Sequence, residues 1–189
     1  MFDFTRGFDL PILDWIANHL WCPFLDAILP CITFLGNGGW IWITTALVLL
    51  CIPKYRKTGF AIATALLMGL VICNLCLKPW VGRIRPYDYQ LQAYGKVIPL
   101  LISAPTDFSF PSGHTIASFE AATVILIRHK KWGIAPLLLA ILIAFSRLYL
   151  YVHYPTDVLT SIVLGIGIGC LANYLVTKGY SLYQQKKSQ

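Results

Sequence analysis

Residues 58–77 read TGFAIATALLMGLVICNLCL. Twenty residues pass without a charge, and an α-helix rising about 1.5 Å per residue makes of them a rod of about 30 Å. That length matches the hydrocarbon core of a bilayer. A second run, Val158–Thr177, is equally long and equally free of charge. Four shorter apolar blocks lie between and before them. They are Trp21–Leu35, interrupted by Pro23, Asp26 and Pro30; Gly39–Ile52, entered through the turn Gly36-Asn37-Gly38-Gly39; the block from Pro111 to Ile127; and Trp132 to about Phe145. Residues 9–20 instead mix apolar and polar residues at helical spacing, with Leu10, Leu13, Ile16, Ala17 and Leu20 on one side. The pattern predicts an all-α integral membrane protein of six transmembrane helices, preceded by a short amphipathic N-terminal helix.

Composition agrees. Of 189 residues, 57% are hydrophobic and 12% charged, against roughly 25% charged in soluble domains. A disordered chain and a large multidomain enzyme are both excluded. One domain is expected over 1–189, with a lead-in helix at 1–20, a loop outside the membrane at 87–110 and a tail at 178–189. The net charge is +7. A nucleic-acid binder would gather that charge on a soluble face; here it sits between apolar blocks, so no nucleic-acid partner is expected.

With six spans, ten basic residues fall on one side: Arg6, Lys54, Arg56, Lys57, Arg128, Lys130, Lys131, Lys178, Lys186 and Lys187. Five fall on the other: Lys78, Arg83, Arg85, Lys96 and Arg147. The positive-inside rule puts the ten, and both termini, in the cytoplasm. Residues 1–9 carry Asp3, Arg6 and Asp9, so no cleaved signal peptide is expected. The six cysteines lie in or beside apolar blocks, and the Cys73–Cys76 pair has no second pair to complete a metal site. They read as small hydrophobes.

Three segments on the side with fewer basic residues carry chemistry. The first is Lys78-Pro-Trp-Val-Gly-Arg-Ile-Arg85-Pro86, the second Pro111-Ser112-Gly113-His114, and the third runs from Ser146-Arg147 through His153 to Asp157. Lys78, Arg85 and Arg147 supply fixed positive charge, and arginine offers a planar fork suited to phosphate oxygens. Ser112 and Gly113 open a helix, whose free amides and dipole favour an anion. His114 and His153 can divide nucleophilic and proton-transfer roles. Asp157, four residues after His153, can accept the proton of one ring nitrogen and leave the other free to attack. The set suits phosphoryl transfer through a covalent phosphohistidine.

Lys-x6-Arg-Pro, Pro-Ser-Gly-His and Ser-Arg-x5-His-x3-Asp, in this order, resemble the three signature motifs of the type-2 phosphatidic acid phosphatases. Soluble vanadium haloperoxidases share the signature, but the apolar blocks point to the membrane branch. The resemblance implies His153 as nucleophile, Asp157 as its orienting carboxylate and His114 as the acid that protonates the leaving oxygen and then activates water. It implies Lys78, Arg85, Ser112, Gly113 and Arg147 as holders of the phosphate oxygens. It also implies chemistry without metal or cofactor. The expected substrate is a lipid phosphate reached from the bilayer, with undecaprenyl pyrophosphate first and phosphatidylglycerophosphate, or lipid phosphates broadly, as the alternative. The expected location is a bacterial inner membrane, with the site at the extracytoplasmic face. A non-catalytic lipid-phosphate binder or transporter is the reading from another class, and the intact His114, His153 and Asp157 speak against it.

Other residues read as structural. Arg83 is expected as a surface charge facing phosphate or headgroup. His19 and His129 are expected at the interface or in solvent. Glu120 and Asp26 are ambiguous between packing and function. Trp40, Trp42, Trp80, Tyr149 and Tyr151 read as an interfacial aromatic belt. The 87–110 loop, with Tyr87, Asp88, Tyr89, Gln90, Tyr94, Lys96 and Asp107, is expected to shape headgroup choice.

Overall fold

A computed structural model describes residues 3–187. Nine α-helices run through the described residues: α1 (Asp3–Leu20), α2 (Pro23–Leu35), α3 (Trp40–Cys51), α4 (Arg56–Gly69), α5 (Lys78–Val81), α6 (Pro86–Tyr94), α7 (Gly113–Arg128), α8 (Ile134–Tyr149) and α9 (Pro155–Lys187). A π-helical stretch, Leu70–Leu77, joins α4 to α5. Each apolar block of the sequence is helical. By length and composition, two stretches suffice to cross a bilayer, Arg56–Tyr94 and Pro155–Lys187. Helices α2 and α3 make a third if taken as one span bent by 42°. The bend has a local cause: Gly38 and Gly39 both sit at positive φ, where a side chain is disfavoured. The tail expected from 178 is an extension of α9 to Lys187.

Helix α7 is the centre, almost fully buried among α3, α4, α8 and α9. Its contact with α9 depends on Gly165 and Gly169. A methyl group on Gly169 would come within 2.7 Å of the Glu120 carbonyl oxygen, and one on Gly165 within 2.9 Å of Phe119. Small residues four apart let helix backbones approach this closely, which is how packing holds helices together where hydrocarbon surrounds them.

Helix α1 lies less freely than an interfacial helix would. Leu10 and Leu13 pack on Tyr151 and Tyr154, and Ile16 packs with Tyr149 and Val152. The aromatic belt is therefore only partly a belt. Trp40 and Trp80 are exposed, but Trp42, Tyr149 and Tyr151 are core residues. Trp42 donates to Ser118 Oγ at 3.0 Å. Tyr149 donates to Asp26 at 2.6 Å, which gives Asp26 a packing role. His129, at the far end of the bundle, meets Thr58 Oγ1 at 2.9 Å.

Candidate active site

The three chemistry-bearing segments meet at one end of the bundle, around a cavity of about 1010 Å³. Lys78, Arg85, Gly113, His114, Arg147 and His153 all line it. Ser112 and Asp157 stand just behind.

His153 sits on the turn between α8 and α9. That turn requires Tyr151 at φ +57°, a conformation a bulky residue adopts at a cost of about 1 kcal/mol or more. Buried bonds hold it there: Tyr151 donates to Asp14 at 3.0 Å and accepts from Gln90 Nε2 at 2.8 Å. Gln90 thus belongs to the scaffold rather than to headgroup choice. His153 Nε2 lies 3.2 Å from Arg85 Nη1. Its Nδ1 lies 3.7 Å from Asp157 Oδ2, inside ion-pair range but too long for a hydrogen bond. Ligand-free sites often show such catalytic contacts lengthened. Burial, followed by the positive charges of Arg85, Arg147 and Lys78, keeps the His153 pKa well below its ordinary value. The ring is therefore neutral near pH 7, the form that can attack.

Asp157 is held by three hydrogen bonds. It accepts from Ser109 Oγ at 2.5 Å, from the Tyr154 amide at 3.0 Å and from Arg83. Arg83 overturns its reading as a surface charge. It is 4% exposed, lies 3.8 Å over the Tyr154 ring and also bonds Asp9 at 2.7 Å. Asp9 in turn accepts from the Thr156 amide at 2.9 Å, in the first turn of α9. The sequence held one signal for this. Arg83 and Arg85 are two apart in a non-helical stretch, where alternate side chains share a face. Their partners, Asp157 and His153, are neighbours.

Ser112 caps α7, and its amide is committed to Ser161 Oγ at 2.8 Å. His114, one turn position into α7, meets Asn37 Oδ1 at 2.9 Å, so the Gly-Asn-Gly-Gly turn orients it. Arg147 donates to Thr33 Oγ1 at 2.6 Å. Asn37, Thr33, Ser109 and Asp9 were not singled out in the sequence. Each is a short polar residue whose partner lies more than 40 positions away.

Lys78 and Arg85 both pair with Asp107, on the irregular segment after α6. Asp107 places an anion on two of the three cations that face the cavity. Burial pushes its carboxyl up, but hydrogen bonds from Lys78 and Arg85 and their charges hold it down to about 2. With 53% side-chain exposure the pairing is weak enough to be displaced. Asp107→Asn is expected to free both cations and lower the inhibition constant for vanadate, a phosphate mimic, by roughly two- to fivefold. Inhibition titrations of both forms measure this; an unchanged or weaker constant would mean that Asp107 positions the cations instead.

The cavity continues from this polar end between apolar walls. Phe34, Ile43, Leu67 and Leu70 line it and are exposed. Fold and site together define a helical protein with long apolar helices and a cavity lined by three cations at one end and by apolar, exposed side chains beyond them. The model of the PAP2 superfamily matches residues 57–180, and the chain belongs to that family. It is 30% identical to the undecaprenyl-diphosphatase of Sulfolobus acidocaldarius over 149 residues, covering 77% of this chain and 69% of that one. The crystal structure of Aquifex aeolicus LpxE superposes with a TM-score of 0.72 at 27% identity, over 87% of this chain and 94% of the other. The PAP2-type phosphatidylglycerolphosphate phosphatase of Bacillus subtilis superposes with a TM-score of 0.72 at 25% identity, over 93% and 88%. The protein is a membrane lipid phosphatase.

Proposed function

We propose that the protein removes a terminal phosphate from a membrane lipid through a phosphohistidine, without a metal ion. His153 Nε2 attacks phosphorus. The bond from phosphorus to the lipid-side oxygen breaks, and His114 gives that oxygen its proton. His114 then takes a proton from water, whose oxygen attacks the phosphohistidine. The nitrogen–phosphorus bond breaks and inorganic phosphate leaves. Lys78, Arg85, Arg147 and the first amides of α7, beginning at Gly113 behind its Ser112 cap, hold the oxygens as charge develops. Asp157 steadies the charge that His153 acquires. The observation that carries this reading is the convergence of two histidines and three cations on one cavity.

In this reading the chain crosses a bacterial inner membrane six times, with both termini in the cytoplasm and the cavity at the outer face. Ten basic residues against five support the orientation. An outward site suits a carrier lipid released as its pyrophosphate outside the cell, so undecaprenyl pyrophosphate is the substrate proposed first. Phosphatidylglycerophosphate is the second reading, favoured by the buried Glu120 that lines the cavity beneath the phosphate site.

Phosphate release from undecaprenyl pyrophosphate, phosphatidylglycerophosphate and phosphatidic acid, with EDTA present, tests the proposal. Release is expected, and the ranking of rates chooses the substrate. Activity lost in EDTA and restored by a divalent cation would end the metal-free reading. Orientation is tested at Gln92, which is exposed on α6. Gln92→Cys is expected to react with an impermeant thiol reagent in intact cells; labelling only after lysis would place the site in the cytoplasm.

A further inference from the structure

Glu120 is 1% exposed, yet it lines the cavity. Its Oε2 has no hydrogen-bond partner among the described residues. Asn74, on the π-helical stretch, lines the same cavity and leaves Oδ1 without a partner. Buried polar atoms without partners are costly and uncommon, more so at membrane depth. With Arg147 Nε and His153 Nδ1 at the phosphate end of the same cavity also unpartnered among the described residues, they point to something that enters it.

Their placement is ordered. Asn74 lies beside Gly113, since a methyl group there would sit 3.1 Å from Asn74 Oδ1. Glu120 is seven residues further along α7, on the same face two turns deeper. It is six residues beyond His114, a rise of about 9 Å along the axis of α7. Helix α4 makes room for the carboxyl by presenting Gly69. A methyl group there would come within 2.3 Å of Glu120 Oε2.

We propose that Asn74 and Glu120 form a second, polar stretch of the lipid slot, at two depths, which hydrogen-bonds ester carbonyls, amides or hydroxyls of the substrate below its phosphate. Asn74 can donate and accept, and a carboxyl accepts and, as the acid, donates. A glycerolipid carries ester carbonyls a few bonds beyond its phosphate. A polyprenyl chain offers only hydrocarbon there. The subsite therefore sets the balance between the two substrate classes of the proposed phosphatase, and it rests on that reading.

Phosphatidic acid and undecaprenyl phosphate carry the same monophosphate and differ in those carbonyls. Glu120→Leu is expected to raise KM for phosphatidic acid roughly five- to tenfold while leaving that for undecaprenyl phosphate within about twofold. Glu120→Gln, which keeps a donor and the shape, is expected to retain most of the phosphatidic acid activity. Gly69→Ala, which crowds the carboxyl without removing it, is expected to reproduce the selective loss. Equal effects on both lipids, or none, would overturn the subsite and leave the two atoms to bound water or packing. The same comparison is made by binding, with the dissociation constants of both lipids measured in His153→Ala and in His153→Ala/Glu120→Leu. A wild type silent on every lipid would sink the phosphatase reading, while equal binding shifts for the two lipids would sink the subsite.

Discussion

Arg83→Leu is expected to destabilise the protein by about 3–5 kcal/mol and to abolish turnover. The side chain bridges two carboxylates, Asp157 and Asp9, both fully buried. Removing the cation leaves both charges without the partner that offset their desolvation, and that penalty is larger than the worth of any single pair. Thermal unfolding in one detergent at one scan rate measures the loss, because membrane proteins of this kind rarely unfold reversibly. Adding Asp9→Asn to Arg83→Leu is expected to recover part of it, since one stranded charge is then gone. Arg83→Lys is expected to fall between, because an ammonium cannot span both partners with a planar fork. An Arg83→Leu protein as stable as the wild type would show that the network does not hold the turn.

His153→Ala is expected to lower kcat by roughly 10³-fold or more, with little change in the unfolding temperature. Turnover then lacks its nucleophile, and whatever rate survives comes from binding and charge stabilisation alone. Rapid acid-free quenching of the wild type on labelled lipid is expected to trap a base-stable phosphoprotein, and the variant none. A labelled intermediate in His153→Ala, or full activity, would refute the covalent mechanism. The pH profile gives an independent check. His153 must be neutral to attack, and burial together with Arg85, Arg147 and Lys78 lowers its pKa. Once the ionisation of the lipid phosphate is allowed for, the acid limb of kcat/KM is expected below 6.5 rather than near it.

Much of this was legible in the chain. The run at 58–77 was legible as a helix long and apolar enough to cross a bilayer because length and lack of charge are local properties. Lys78, Arg85, His114, Arg147 and His153 were legible because each sits in a short local motif, and the structure brings all five to one cavity. Arg83 was misread because burial is not a local property. Its two partners lie 74 positions away in opposite directions. Asn37 and Thr33 were passed over for the same reason, as ordinary polar residues whose meaning comes from His114 and Arg147. Trp42, Tyr149 and Tyr151 were misplaced because an aromatic residue in an apolar block suits a membrane surface or a core equally well. Glu120 could not be settled from the sequence, since its lack of a partner is a fact of three helices together.

The tie between Asp9 and the Thr156 amide joins residues 147 positions apart. Helix α1 and the opening turn of α9 stand toward opposite ends of the described residues. Without the opening turn of α9, Asp9 and Arg83 have each other but not Asp157, and the His153 turn keeps the Tyr151 bonds to Asp14 and Gln90. The carboxylate behind His153 is therefore held through contacts that reach from the first described helix to the last.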